Sequence, residues 1–242
     1  MLYPFGDSVV FRGNTETLRN ISIRTDKETL AMLNKTGTFA CGRFTALRTV
    51  KLLSYMDIIE GTNELAQETI KIYESIHGTV EHLQVMFSEA SKRLLSRVQQ
   101  GLTFDSLRQL DICEAHLSLR DIVRALKVLP ALQRLRSRQA PVPTFIVLAQ
   151  SAERVANFCQ KHMRISASFQ QWDIYYGAAS PATSYSSVYA AFLSVICPHF
   201  TCLCVQYKCR EKHYTNIARL QKTTFSAFAE DLQKLLVSYK PT

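Results

Sequence analysis

From Phe5 to Leu129 the chain contains no proline. A proline in a helix interior costs about 3 kcal/mol, so this long stretch permits long helices. Gly42 and Gly61 bracket a first candidate, Arg43–Glu60, with Gly61 placed like a residue just past a helix end. A second runs from about Glu64 to Gln100. Its apolar positions are Leu65, Ile72, Ile76, Val80, Leu83, Phe87, Ala90, Leu94 and Val98. Spacings of three, four and seven mark one face of an α-helix. Gly78 suggests a bend inside it and Gly101 its end. A third helix is expected from Thr103 or Asp105, carrying Leu107, Leu110, Cys113 and Leu117. Ser118-Leu119-Arg120-Asp121 resembles a capping box, which opens a fourth helix with Ile122, Leu126 and Leu129 inside.

Beyond Pro130, the segment from Arg136 to Pro143 reads as a linker, with two closely spaced prolines after a charged run. Phe145, Leu148, Ala152, Val155, Cys159 and His162 then alternate in steps of three and four, which predicts a helix from about Pro143 to Met163. Residues 165–183 are less regular. Ser184–Cys197 reads as a helix, and Phe200–Cys209 fits strand or helix. A last helix is expected over His213–Ser238. Before Gly42, extended pieces at Ser8–Phe11 and Leu18–Ile23 and a short helix over Lys27–Leu33 form an irregular arm. The expected fold is therefore mainly α, a compact body of about seven helices with an irregular or partly extended N-terminal arm. The expected divisions are 1–42, 43–140 and 141–242, the last two packed as one body.

The 242 residues include only 8 Gly and 7 Pro, and no repeat period shows, which excludes fibrous and collagen-like classes. Lys and Arg number 29 against 20 Asp and Glu, so the formal charge is +9. That balance suits a polyanion: nucleic acid, an anionic membrane surface or an acidic protein. The charge is concentrated. Arg120, Arg124, Lys127, Arg134 and Arg138 step by 4, 3, 7 and 4, which on one continuous helix gives a basic stripe. Such a stripe could follow a phosphate backbone or lie on anionic lipid. The plain alternative is a solvated helix face.

Seven cysteines, an odd count without an apolar leader, point to thiols in a reducing compartment, cytoplasmic or nuclear. No run approaches the roughly 18–20 apolar residues that span a bilayer. Cys197, His199, Cys202, Cys204, Cys209 and His213 crowd together, but their spacing matches no standard zinc knuckle and their neighbours are apolar. Packing as small hydrophobes is the reading adopted; a metal site on Cys202, Cys204, Cys209 and His213 is the alternative. The pairs Cys113/His116 and Cys159/His162 are read as core on helices. The aromatics Phe169, Trp172, Tyr175, Tyr176, Tyr185 and Tyr189 could stack bases or anchor a partner, but packing is preferred.

No P-loop, dinucleotide fingerprint, zinc-protease helix or nucleophile elbow occurs. The expectation is a non-enzymatic interaction or scaffold subunit of a larger assembly, needing no cofactor and working by self-association or with a protein partner. Length, charge and helicity fit the general profile of viral matrix, tegument or nucleocapsid shell proteins. The alternative is nucleic-acid binding through the stripe, and a third is the metal module.

Overall fold

The computed structural model describes residues 16–25, 27–39, 44–54, 62–85, 88–117, 119–139, 157, 159–162, 164–176, 183–208, 215–221 and 230. It overturns the mainly-α expectation: helices alternate with parallel strands in an α/β arrangement. The chain forms two compact units, Met1–Ala115 and His116–Thr242. The first holds strands β1 (Asn20–Thr25), β2 (Thr49–Ser54), β3 (His82–Val85) and all but the last two residues of β4 (Gln109–Leu117), with helices α1 (Lys27–Lys35), α2 (Thr62–Ile76) and α3 (Ser88–Gln99). The second holds α4 (Leu119–Val128), β5 (Arg134–Gln139), β6 (Gln171–Tyr176), α5 (Thr183–Ile196), β7 (Cys202–Lys208) and β8 (Thr215–Gln221). Strands β1 to β4 pair in sequence order, all parallel. So do β5 to β7, and β8 runs antiparallel to β7.

The registers disclose a repeat. Asn20, Thr49, His82 and Gln109 stand side by side in the first unit, and Arg134, Gln171 and Cys202 in the second. Counted from these residues, the positions two before, one after and three after are apolar in nearly every strand. They read Leu47, Val50, Leu52; Val80, Leu83, Val85; Leu107, Leu110, Ile112; Leu132, Leu135, Ser137; and Phe169, Trp172, Ile174, all buried. Phe200 and Leu203 continue the series, and Phe169 stacks on Phe200 with centroids 5.6 Å apart. Fully burying one such apolar side chain is worth about 1.5–3 kcal/mol.

The backbone repeats too. The N–H groups of Arg48 and Thr49 both donate to the carbonyl of Arg19, at 2.8 and 3.0 Å. Those of Glu81 and His82 do the same to Arg48, and those of Arg108 and Gln109 to Glu81. In the second unit, Gln170 and Gln171 donate to Gln133, and Thr201 and Cys202 to Gln170. Each of these rungs thus enters its strand through a shared acceptor. The parallel strands start at residues 20, 49, 82, 109, 134, 171 and 202, so their spacing varies from 25 (109 to 134) to 37 (134 to 171). So uneven a repeat has no fixed period.

Right-handed crossovers between consecutive parallel strands put the helices of a unit on one face of its strands. Within the first unit α2 packs against both α1 and α3. Helix α2 buries Leu65, Ala66, Thr69, Ile70, Ile72, Tyr73 and Ile76. Two helices end on glycines in the left-handed region. Gly37 has φ +61° and Gly101 φ +112°, and the following N–H groups, of Thr38 and Leu102, reach back to Leu33 and Arg97 at 3.0 Å each. This is the closing pattern that favours glycine just past a helix.

Particular expectations fare differently. Helices over Lys27–Leu33, from Leu119 and over Ser184–Cys197 are present within a residue or two, and Leu18–Ile23 overlaps β1. The Arg43–Glu60 helix is replaced by β2, the Glu64–Gln100 helix is two helices split by β3, and the helix after Thr103 is β4. Within 165–183 lies β6, and Phe200–Cys209 contains β7. Strand β8 overrides the start of the His213–Ser238 helix, and the rest of that segment apart from Glu230 lies outside the described residues. So do Ser8–Phe11 and nearly all of the Pro143–Met163 helix, of which residues 159–162 are helical.

The physical reason is non-local pairing. Ile72, Ile76, Val80, Leu83, Ala90, Leu94 and Val98 are all buried, as their spacing predicts. Yet Leu83 reaches the core from a strand whose partners lie at 49–52 and 109–111. An apolar run this short fits either period, and hydrogen bonds to distant segments decide it.

Candidate functional site

Strand alternation sends the residues between the buried positions to the other face of the sheet, away from the helices. In the first unit that face carries Asn20, Ser22, Thr49, Lys51, His82, Gln84, Gln109 and Asp111, all polar; Asp111 is buried and the others are half-buried or exposed. In the second unit it carries Arg134, Arg136, Gln171, Asp173, Cys202 and Cys204, of which Asp173 and Cys204 are buried.

Among the described residues, a buried polar constellation lies on β5 and β6. Register sets Arg134 beside Gln171 and Arg136 beside Asp173. Asp173 is 1% exposed, so its carboxylate needs partners. Arg134 donates Nε–H to Oδ2 at 2.8 Å, with Nη2 at 2.5 Å from the same oxygen. The Nε of Arg136 lies 3.5 Å from that oxygen, and Gln171 donates Nε2–H to Oδ1 at 2.6 Å. The two arginine side chains remain 36% and 31% exposed. A buried acid therefore fixes the orientation of Arg134, whose guanidinium still meets solvent, with Arg136 close beside it. The signal for this cluster lies in the sequence, in the period of a strand rather than of a helix. Arg134-x-Arg136-x-Arg138 alternates by two, and Gln171-x-Asp173 repeats the spacing.

The expected stripe divides. Arg120, Arg124 and Lys127 are exposed on α4, opposite buried Ile122, Val123 and Leu126. Arg124 lies 4.0 Å from Asp121. Arg134 and Arg138 belong to β5, so a single helical stripe of five is not formed. Pro130 follows α4 in a turn.

Of the soft-ligand cluster, Cys202 and Cys204 lie on β7, while Cys209 and His213 lie outside the described residues. Among the described residues no group of three or more His, Cys, Asp or Glu could hold a metal ion. No disulfide joins Cys159, Cys197, Cys202 or Cys204. Burial pushes the thiols of Cys159 and Cys197 up to about 12 each, which suppresses thiolate. Cys113 and His116 lie on β4, not on a helix. Cys159 is buried in the helical turn at 159–162. Of the aromatic group, Phe169 and Trp172 are fully buried core.

A cleft of about 410 Å³ opens between α2 and α3, lined by Gln67, Ile70, Lys71, Glu74, Arg93, Ser96 and Arg97. Its cations are already paired: Lys71 with Glu68 at 2.6 Å, Arg93 with Glu89 at 3.3 Å, and Arg97 Nε with Glu74 at 2.7 Å. Hydrogen bonds from Lys71 and then Asn34 hold the Glu68 carboxyl below its usual range. Asn34 reaches Glu68 Oε2 at 2.6 Å, tying α1 to α2. The groove reads as helix-to-helix stitching.

Among the described residues no helix is long and apolar enough to cross a membrane. No protein-family model, curated protein or solved structure matches this chain. The fold and the polar cluster therefore carry the functional reading alone.

Proposed function

We propose that this chain is a non-enzymatic interaction subunit of an intracellular assembly, recognising a protein partner through the strand face that each unit turns away from its helices. One observation supports this most: in each unit, successive strands bring polar residues into register on that face. Stacked repeats of one strand and one helix bury one side of the strands and offer the other as an extended surface, which is how repeat solenoids bind. Without the expected helicity, the comparison with viral shell proteins keeps only length and charge.

The test is affinity capture from native lysate, with and without nuclease. Wild type is compared with a sheet-face variant (Lys51→Glu with Gln84→Arg) and a helix-face variant (Gln67→Arg with Ser96→Arg), all three folded by circular dichroism. The reading expects a nuclease-resistant protein partner, lost with the sheet-face variant and kept with the other. Loss that follows the helix face would overturn it.

The exposed trio Arg120, Arg124 and Lys127 supports a second reading, contact with nucleic acid. Changing all three to glutamine would then flatten the salt dependence of binding by up to about three phosphate equivalents.

A further inference from the structure

We propose that Arg134, held in place by buried Asp173, anchors a carboxylate side chain from an acidic segment of a partner protein. The inference rests on the sheet face being the recognition surface and names the chemistry recognised there.

A guanidinium carries five N–H donors in a planar fork. Arg134 directs Nε and Nη2 to Asp173, and donors on its remaining edge are left for solvent or a ligand. Its side chain is 36% exposed while its acid is 1% exposed, so the pair is open on the cation side only. Orienting the fork in advance lowers the entropic cost of capturing an anion. Arg136 brings a second guanidinium to within 3.5 Å of the same oxygen. Gln171 fills the other carboxylate oxygen, which keeps Asp173 from swinging away. The planar fork matches a carboxylate with two parallel hydrogen bonds, which a lysine cannot reproduce.

The occupant follows from charge complementarity. The strand sequence Arg134-Leu135-Arg136-Ser137-Arg138 places arginines two apart. In extended chains, alternate side chains also recur every two residues, near 6.6–6.8 Å. An extended acidic peptide laid along β5 meets this spacing with its own alternate carboxylates. Asp173 is a positioning residue here, acting through Arg134.

The probe is a fluorescein-labelled deca-glutamate peptide, with its deca-glutamine counterpart as control, followed by anisotropy across a salt series. Wild type should bind the glutamate peptide and not the glutamine one. Arg134→Lys keeps the charge and loses the fork, and should weaken binding about tenfold, the worth of one charge-assisted hydrogen bond. Arg134→Gln, the second variant should the lysine form misfold, should weaken it at least as much. Asp173→Asn should weaken binding although it makes the protein more positive, which a merely electrostatic surface would not do. The variant with Arg120, Arg124 and Lys127 changed to glutamine should stay close to wild type.

Arg134 variants that bind like wild type, or an α4 variant that loses as much, would reduce the effect to diffuse charge and overturn the proposal. Equal competition by a single-stranded oligonucleotide of the same charge would overturn it in favour of a general polyanion. If the sheet-face variant abolishes partner capture while deca-glutamate fails to bind, the anchor falls and the sheet-face reading stands. If the peptide binds through Arg134 while partner capture follows the helix face, the anchor stands and the sheet-face reading falls.

Discussion

Trp172 donates its indole Nε1–H to the Oγ of Ser137 across 3.0 Å, and both side chains are buried. The two residues are paired exceptions to the repeat. Trp172 occupies the position held by Ile21, Val50, Leu83, Leu110 and Leu135 in other strands. Ser137 occupies the position held by Leu52, Val85, Ile112 and Ile174. The chain's one tryptophan brings a donor into the core, and the neighbouring strand gives up a branched apolar side chain to accept from it.

Ser137→Ala removes this acceptor and should cost about 1–3 kcal/mol, the penalty for stranding a buried polar group. Trp172→Leu with Ser137→Val restores the pattern of the other rungs, so the double variant should be more stable than the sum of the singles by about 0.5–3 kcal/mol. Urea unfolding of the four proteins measures the coupling. Strict additivity would falsify the pairing.

Leu83→Ala should cost about 2–5 kcal/mol as a cavity in the middle of β3. Thermal or denaturant unfolding reads this directly. A loss under about 0.5 kcal/mol, typical of surface sites, would place Leu83 outside the core.

In native protein near pH 8, iodoacetamide should modify Cys202, which is half-buried, well before the fully buried Cys159 and Cys197. Burial holds the latter two thiols near 12, so little thiolate forms at that pH. Peptide mass spectrometry with time resolves the order, and denaturant should equalise the rates. Rapid native labelling of Cys197 would contradict its burial.

Burial first, then the charges of Lys127 and Lys161, lower the His162 imidazole below its ordinary value of 6.5. A depressed histidine favours the neutral ring in the folded state, so the unfolded chain binds the proton more readily. The stability it protects is present above pH 6.5 and is lost as pH falls below that value. Urea midpoints between about pH 7.5 and 5.5 should drop more steeply for wild type than for His162→Gln. Parallel slopes would remove His162 from the acid response.

Local sequence was enough to settle many of the buried residues and three of the helices. Leu83, Leu94 and Leu126 are core because apolar periodicity is written into short stretches of chain. Helices α1, α4 and α5 hydrogen-bond within themselves, so their signals are complete in about 9–14 residues. Gly101 marks a helix end for the same reason. The strands depended on pairing across the chain. Val50, Leu83, Leu110 and Leu203 sit in short segments whose parallel backbone partners lie some 27 to 33 residues away, and both periods fit such segments equally. The polar cluster depended on it as well. Arg134 and Asp173 are 39 residues apart, and only parallel pairing of β5 with β6 brings the acid beneath the cation.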